Sequence, residues 1–178
     1  MVLADSRLVR TVFCCSLPLL CACTSPLGGE DLELALGASA QPGFGGLVGL
    51  SQRVWEGEAR RVDFEMALIH QELADEGPTG KNDWDEIRAG LKLRSPSQAS
   101  TVWFASSGAV WLRARGEPEV LDAPDDYGGL YLDLGLHFAL TPALATGPDL
   151  TFLAVDAEGD RSGSGTATEL AWRFVWRL

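Results

Sequence analysis

The chain has two histidines, and one of them shares a strand face with a carboxylate. His137 and Asp133 both lie in GLYLDLGLHFALT, residues 129–141, where alternate residues of extended chain point the same way. A histidine oriented by a carboxylate is the arrangement of a general base. Four residues of strand span about 13 Å, so Asp133 cannot bond His137 directly and its partner must come from another strand. Ser106 and Ser107 are hydroxyls that complete such a group only if their strand lies beside His137 at the same height. The other reading of His137 is a member of a hydrogen-bond network in a fold interior. His137 and Asp133 are the catalytic candidates, and alone they make no catalytic site.

His70 stands near Glu72, Asp75 and Glu76, which suits either a metal site or a solvated acidic face. Acids recur in three further stretches: Asp83, Asp85 and Glu86; Glu117, Glu119, Asp122, Asp125 and Asp126; and Asp156, Glu158 and Asp160. The last stretch lacks the closing bidentate Glu of an EF-hand. Gly159–Gly165 lacks the Lys-Ser/Thr ending of a phosphate loop. All four cysteines fall within the first 23 residues, so the body has no disulfide and no cysteine-based metal centre. No cofactor or metal site is predicted. A net charge of −11 disfavours nucleic acid as a partner, because phosphate binding needs a basic patch.

These residues depend on strands for their positions. Leu130, Leu132, Leu134, Leu136, Phe138 and Leu140 form one face of residues 129–141, against Gly129, Tyr131, Asp133, Gly135, His137, Ala139 and Thr141. The same two-faced code runs through 31–41, 44–55, 61–73, 86–94 and 169–178. Residues 101–115 are strand-rich with both faces apolar, so their facing is open. A shorter strand is predicted over 149–156, and MALIHQELADEG alone also suits a helix. Connections alternate between short (55–58, 94–100, 141–148) and longer, acid- and Gly-rich ones (73–85, 116–126, 157–168), with the tight Pro42-Gly43 as the exception. The expected fold is all-β: a closed antiparallel up-and-down β-barrel of about eight strands over residues 31–178. No apolar run reaches the roughly 18 residues that a spanning helix needs.

Alternation alone does not say which face points inward. A membrane barrel puts its leucines outside, whereas a soluble lipocalin-like barrel puts them around an apolar ligand. Three features favour the membrane. Glycines (Gly37, Gly45, Gly49, Gly90, Gly129, Gly135) sit on the polar face, where a narrow interior needs small residues. That face also carries both signs, among them Glu33, Arg61, Asp63, Glu65, Arg88, Lys92, Arg94, Glu169 and Arg173, which can pair in a closed lumen. The chain ends on the amphipathic ELAWRFVWRL. Trp176 at one rim, and Trp111, Tyr127 and Phe44 at the other, are candidates for an aromatic girdle. Trp55 and Trp103 stand near the first rim on the other parity.

Residues 1–22 read as a signal peptide, with Arg7 and Arg10 before the apolar TVFCCSLPLLCA. Leu20-Cys21-Ala22-Cys23 resembles the lipobox of bacterial lipoproteins, which implies that Cys23 becomes a lipidated N-terminus and that residues 23–30 are its tether. An ordinary cleaved signal with an unmodified cysteine is the alternative. Thr24 stands where an Asp favours inner-membrane retention in enterobacterial lipoproteins, so the resemblance implies the outer membrane. The body resembles the small outer-membrane barrels of the OmpA/OmpX type, and the final strand resembles their C-terminal signal, with Leu178 in place of the usual Phe. That resemblance implies a filled interior, a structural or surface-interaction role, long acidic loops facing outward, and outer-membrane lipids as partners. A surface partner or, in the soluble alternative, an apolar ligand is the further partner left open. The strand of His137 also resembles that of outer-membrane lipid A deacylases, which carry His-x-Ser. Here the third residue is Ala139, so the nucleophile position is empty.

Overall fold

The computed structural model describes residues 32–41, 43–77, 80–96, 99–115, 126–157 and 164–178. The segments expected to be a signal peptide, the lipidated Cys23 and its tether lie outside the described residues, as do residues 116–125 and 158–163. Eight strands account for most of the rest: β1 (Leu32–Gln41), β2 (Gly43–Glu56), β3 (Arg61–Gly77), β4 (Gly80–Arg94), β5 (Thr101–Arg115), β6 (Asp126–Thr141), β7 (Leu144–Ala157) and β8 (Ser164–Arg177). Each pairs antiparallel with the next, and β8 pairs with β1 to close the barrel. Closure leaves no strand edge unpaired, the requirement for backbone placed in hydrocarbon.

The Leu130–Leu140 row faces outward, from Leu130 at 68 % exposed to Leu140 at 58 %. Its back face is interior, with Asp133 and His137 buried. The other strands agree. Leu36, Val48, Phe64, Leu91, Phe152, Leu170 and Phe174 are exposed, while Glu33, Asp63, Glu65, Arg88, Lys92, Glu169 and Arg173 are buried. The Leu-lined cup of the lipocalin-like alternative is therefore overturned, because the leucines are outside and the lumen is charged. The ten steps from Leu130 to Leu140 rise roughly 33 Å along the strand, about 25 Å once tilted, the height of an outer-membrane apolar belt.

Several sequence expectations change. MALIHQELADEG continues β3 as strand, because it completes a two-sided ladder with β2 and β4. The long loop expected over 73–85 is mostly strand: β3 runs to Gly77 and β4 starts at Gly80, with those two glycines paired. The expected connection 141–148 shrinks to Pro142 and Ala143, since β7 starts at Leu144 and carries Pro148 within it. On β5, Val102, Phe104, Ser106, Val110, Leu112 and Ala114 face inward, and Trp103 faces out. Trp55 reaches the outside through a register shift between Arg53 and Trp55. Tyr127, expected in the girdle, is fully buried in the lumen instead, because its strand parity is that of Asp133 and His137.

Leu134 lies at mid-height on the outer belt. Leu134→Asp is expected to abolish the heat-modifiable folded band when the barrel is refolded into lipid vesicles, because it puts a charge near the centre of the hydrocarbon. Leu134→Ala is expected to fold. Normal heat-modifiable folding of the Asp variant would contradict the outward facing.

Candidate functional site

The charged chemistry of this chain converges in the lumen. Among the described residues, seven carboxylates are buried there: Glu33, Asp63, Glu65, Glu86, Asp133, Asp149 and Glu169. Arg61, Arg88, Lys92, Arg94 and Arg173 are buried with them, together with His137. Strand alternation delivers them inward, and closure of the barrel brings residues from opposite walls within reach.

At the end of the barrel that holds the connections after β2, β4 and β6, Arg94 donates two hydrogen bonds to the Glu33 carboxylate at 2.5 and 2.8 Å. Arg61 pairs with Asp63 and lies 3.8 Å from Glu33. Arg177 reaches the same Glu33 at 3.5 Å. Higher up, Glu65 lies 3.2 Å from the Lys92 ammonium, and the Ser106 hydroxyl donates to it. Tyr131 donates to Glu65 at 3.3 Å. Lys92 also sits 4.1 Å from the Phe104 ring centre, a cation–π contact.

Next to this layer lies the group around His137. Its Nε2 is 2.7 Å from the Asp149 carboxylate of β7. Arg173 of β8 pairs with Asp149 and donates to Asp133 at 2.6 Å. Thr151 donates to Asp133 at 3.0 Å and accepts from Arg88 at 2.9 Å. Arg88 in turn pairs with Glu86 and Glu169, and Gln71 donates to Glu169. The His137 ring packs against Phe104, with centroids 4.9 Å apart. Both Phe104 and Asp149 lie directly on the Gly135 backbone, where a Cβ would overlap them. Above these charges the lumen is apolar: Trp84, Val110, Leu112, Ala114, Tyr127, Tyr131, Leu153 and Val155 form one buried cluster. The interior is thus filled by ion pairs below and an aromatic–aliphatic plug above, as small barrels require.

This arrangement answers the catalytic expectation. His137 and Asp133 share the lumen, but Asp149 is the carboxylate that bonds His137, with Arg173 linking it to Asp133. Sequence reasoning missed Asp149, because Pro148 before it made it look like the start of a short strand after a turn. On β5 the residue opposite His137 is Val102, and Ser106 stands opposite Asp133, about 13 Å further up. Ser107 is exposed on the outer surface. No hydroxyl among the described residues bonds His137. Ala139 sits exposed at the rim, and the histidine faces away from the surface where acyl chains would lie.

His70 is outward and exposed at the other end of the barrel, with Nδ1 2.8 Å from Asp85. Arg115 already binds that carboxylate at 2.5 Å and reaches Asp83 at 3.3 Å, so a guanidinium occupies the place a metal would take. Asp75 and Glu76 lie outside the residues whose side chains are described. Nearby, Arg113 binds Asp126 at 2.7 and 3.1 Å and packs over Trp111. No group of three or more His, Cys, Asp or Glu side chains among the described residues converges on a metal position.

No protein-family model matches the chain, and no curated protein matches it in sequence. Its fold is similar to several solved structures. Neisserial surface protein A is 12 % identical over 83 % of this chain and 95 % of its own, with a TM-score of 0.53. The outer membrane enzyme PagL is 16 % identical over 80 % of this chain and 97 % of its own, also at 0.53. A major outer membrane protein from Thermus thermophilus is 12 % identical over 83 % and 99 %, at 0.50. At these identities the likeness is one of fold, a closed eight-stranded barrel.

The lumen network sets its own expectation. Asp149→Ala removes the carboxylate shared by His137 and Arg173 and is expected to cost about 3–5 kcal/mol, as other breaks of buried pairs do. Urea unfolding of the micelle-folded barrel measures it. Combining it with Arg173→Met is expected to cost less than the two single losses added together, because the pair is removed as a unit.

Proposed function

We propose that this chain is a lipid-anchored β-barrel of the bacterial outer membrane, with a structural or surface-interaction role. The observation that carries the reading is the outward Leu130–Leu140 row around a lumen filled with ion pairs. Such an exterior is stable against hydrocarbon and prone to association in water. A lumen packed in this way braces the wall without leaving a wide channel. The solved barrels of similar fold that are named for an outer membrane or a cell surface support this location. The lipobox-like Leu20–Cys23 supports a diacylated, N-acylated Cys23, and more than one acyl chain gives stable anchoring. The acidic segments 116–125 and 158–163 follow the outer ends of β5 and β7, so they would be displayed outside, where a surface partner would meet them. Lipid A hydrolysis is not the reading taken, because the His137 ring is committed to Asp149 inside the wall and Ala139 stands at the nucleophile position.

Two experiments test this. A body lacking residues 1–23 is expected to need detergent for monodispersity; a monodisperse species in plain buffer would sink the membrane reading. Expression of the full chain with labelled palmitate is expected to label it at Cys23, with the label lost in Cys23→Ala. Retained label in that variant, or none in the parent, overturns the anchor and leaves the barrel standing.

A further inference from the structure

The barrel wall has several register shifts, and one break in its ladder keeps the same register on both sides. The β6–β7 register is continuous from Tyr127↔Ala157 to Gly135↔Asp149 and resumes at Phe138↔Thr146 in the same phase. Between them Leu136 stands opposite Pro148 and His137 opposite Gly147 without a completed pair of backbone hydrogen bonds, although the Gly147 backbone is so close to the Leu136 carbonyl that a Cβ there would overlap it. Hydrogen-bond parity explains the gap. Ala139 N–H donates to Ser100 of the β5 side, so odd residues of β6 face β5 and even residues face β7. Arg177 N–H donates to Ala143, so odd residues of the β7 side face β8 and even ones face β6. Leu136 and Pro148 therefore occupy a hydrogen-bonding position toward each other. Proline has no N–H, so β7 supplies no ladder donor to the Leu136 carbonyl.

The place matters as much as the defect. Leu136 and Phe138 belong to the outward apolar row, where lipid offers no replacement donor. Below the gap only Phe138↔Thr146, Ala139↔Ala145 and, after a register shift, Thr141↔Leu144 hold the two strands, closed by the Pro142-Ala143 turn. Each strand remains paired on its other side, β6 to β5 and β7 to β8. Directly behind the gap, His137 of β6 bonds Asp149 of β7 across the same seam.

We propose that the lower β6–β7 seam is a lateral gate. The two strands part from the inner rim up to Gly135↔Asp149, each keeping its other neighbour, and His137–Asp149 is the latch that closes them from within. Opening gives water from the inner rim access to His137.

Amide exchange and histidine modification of the micelle-folded mature barrel test the gate. The Leu136, Phe138 and Thr146 amides are expected to exchange about ten-fold or more faster than those of Leu134 and Leu150 on the intact ladder above, the factor that one lost hydrogen bond supplies. His137 and Gly135 amides, which bond toward β5, serve as controls and are expected to stay slow. Pro148→Ala restores the missing donor and is expected to slow the three gate amides about ten-fold, and to slow carbethoxylation of His137 by diethyl pyrocarbonate by a similar factor. Exposed His70 is expected to react equally in both proteins. Leu136 as protected as Leu134 overturns the proposal, and so does a Pro148→Ala barrel with unchanged exchange and unchanged His137 reactivity. If Pro148→Ala does not fold, the comparison of Leu136 with Leu134 in the parent decides by itself.

Discussion

A closed ring of backbone hydrogen bonds is the constraint from which the rest of this molecule follows. Eight strands wearing apolar side chains outward suit an apolar surrounding only where neighbouring strands pair their N–H and C=O groups. The pairing of β8 with β1 removes both edges at once. Closure at eight strands leaves a lumen wide enough for side chains and little else. Alternation then forces every second residue into that lumen, and in this chain many of those residues are charged. The fold thus turns a simple period of two into a concentrated electrostatic problem.

The solution is a chain of mutual pairs rather than isolated bridges. Glu33 is shared by Arg94, Arg61 and Arg177, Asp149 by His137 and Arg173, and Glu169 by Arg88 and Gln71. Burying any one of these charges alone would be costly, and buried pairs recover that cost only when their remaining bonding positions are filled. Sharing fills them. It also ties walls that are distant around the barrel, such as β3 to β8 through Gln71 and Glu169, so the lumen acts as an internal brace. The apolar cluster of Trp84, Tyr127, Leu112 and Leu153 closes the opposite end without charge.

Where this was legible in sequence depended on whether the two faces differ. The Leu130–Leu140 row, the Glu33 and Arg61–Glu65 parity, and the closed eight-stranded plan could be read from alternation alone. The β5 facing could not, because the plug puts Val110 and Leu112 inside while Trp103 and Trp111 line the outside, leaving no contrast between faces. Tyr127 resembles a girdle residue by its position near a rim, although its parity is that of the lumen. Trp84 is hidden within the acidic NDWDE, which reads as loop and is strand. Facing, lumen or lipid, needed the closed structure, since both kinds of barrel share the same periodicity.

Pro148 misleads a sequence reading for a reason that bears on how the barrel works. A proline normally argues against a central strand, and so points to a turn. The wall accepts it at Leu136 because compensation is available from behind. Asp149 bonds His137 across the seam, and Arg173 ties that pair to β8 and, through Asp133, back to β6. A side-chain bond in the lumen thus stands in for a backbone bond missing from the wall. The histidine first singled out as a catalytic candidate is best understood as one half of that bond. The same substitution of side chain for backbone makes this seam the place where a change inside the lumen is felt most directly by the wall.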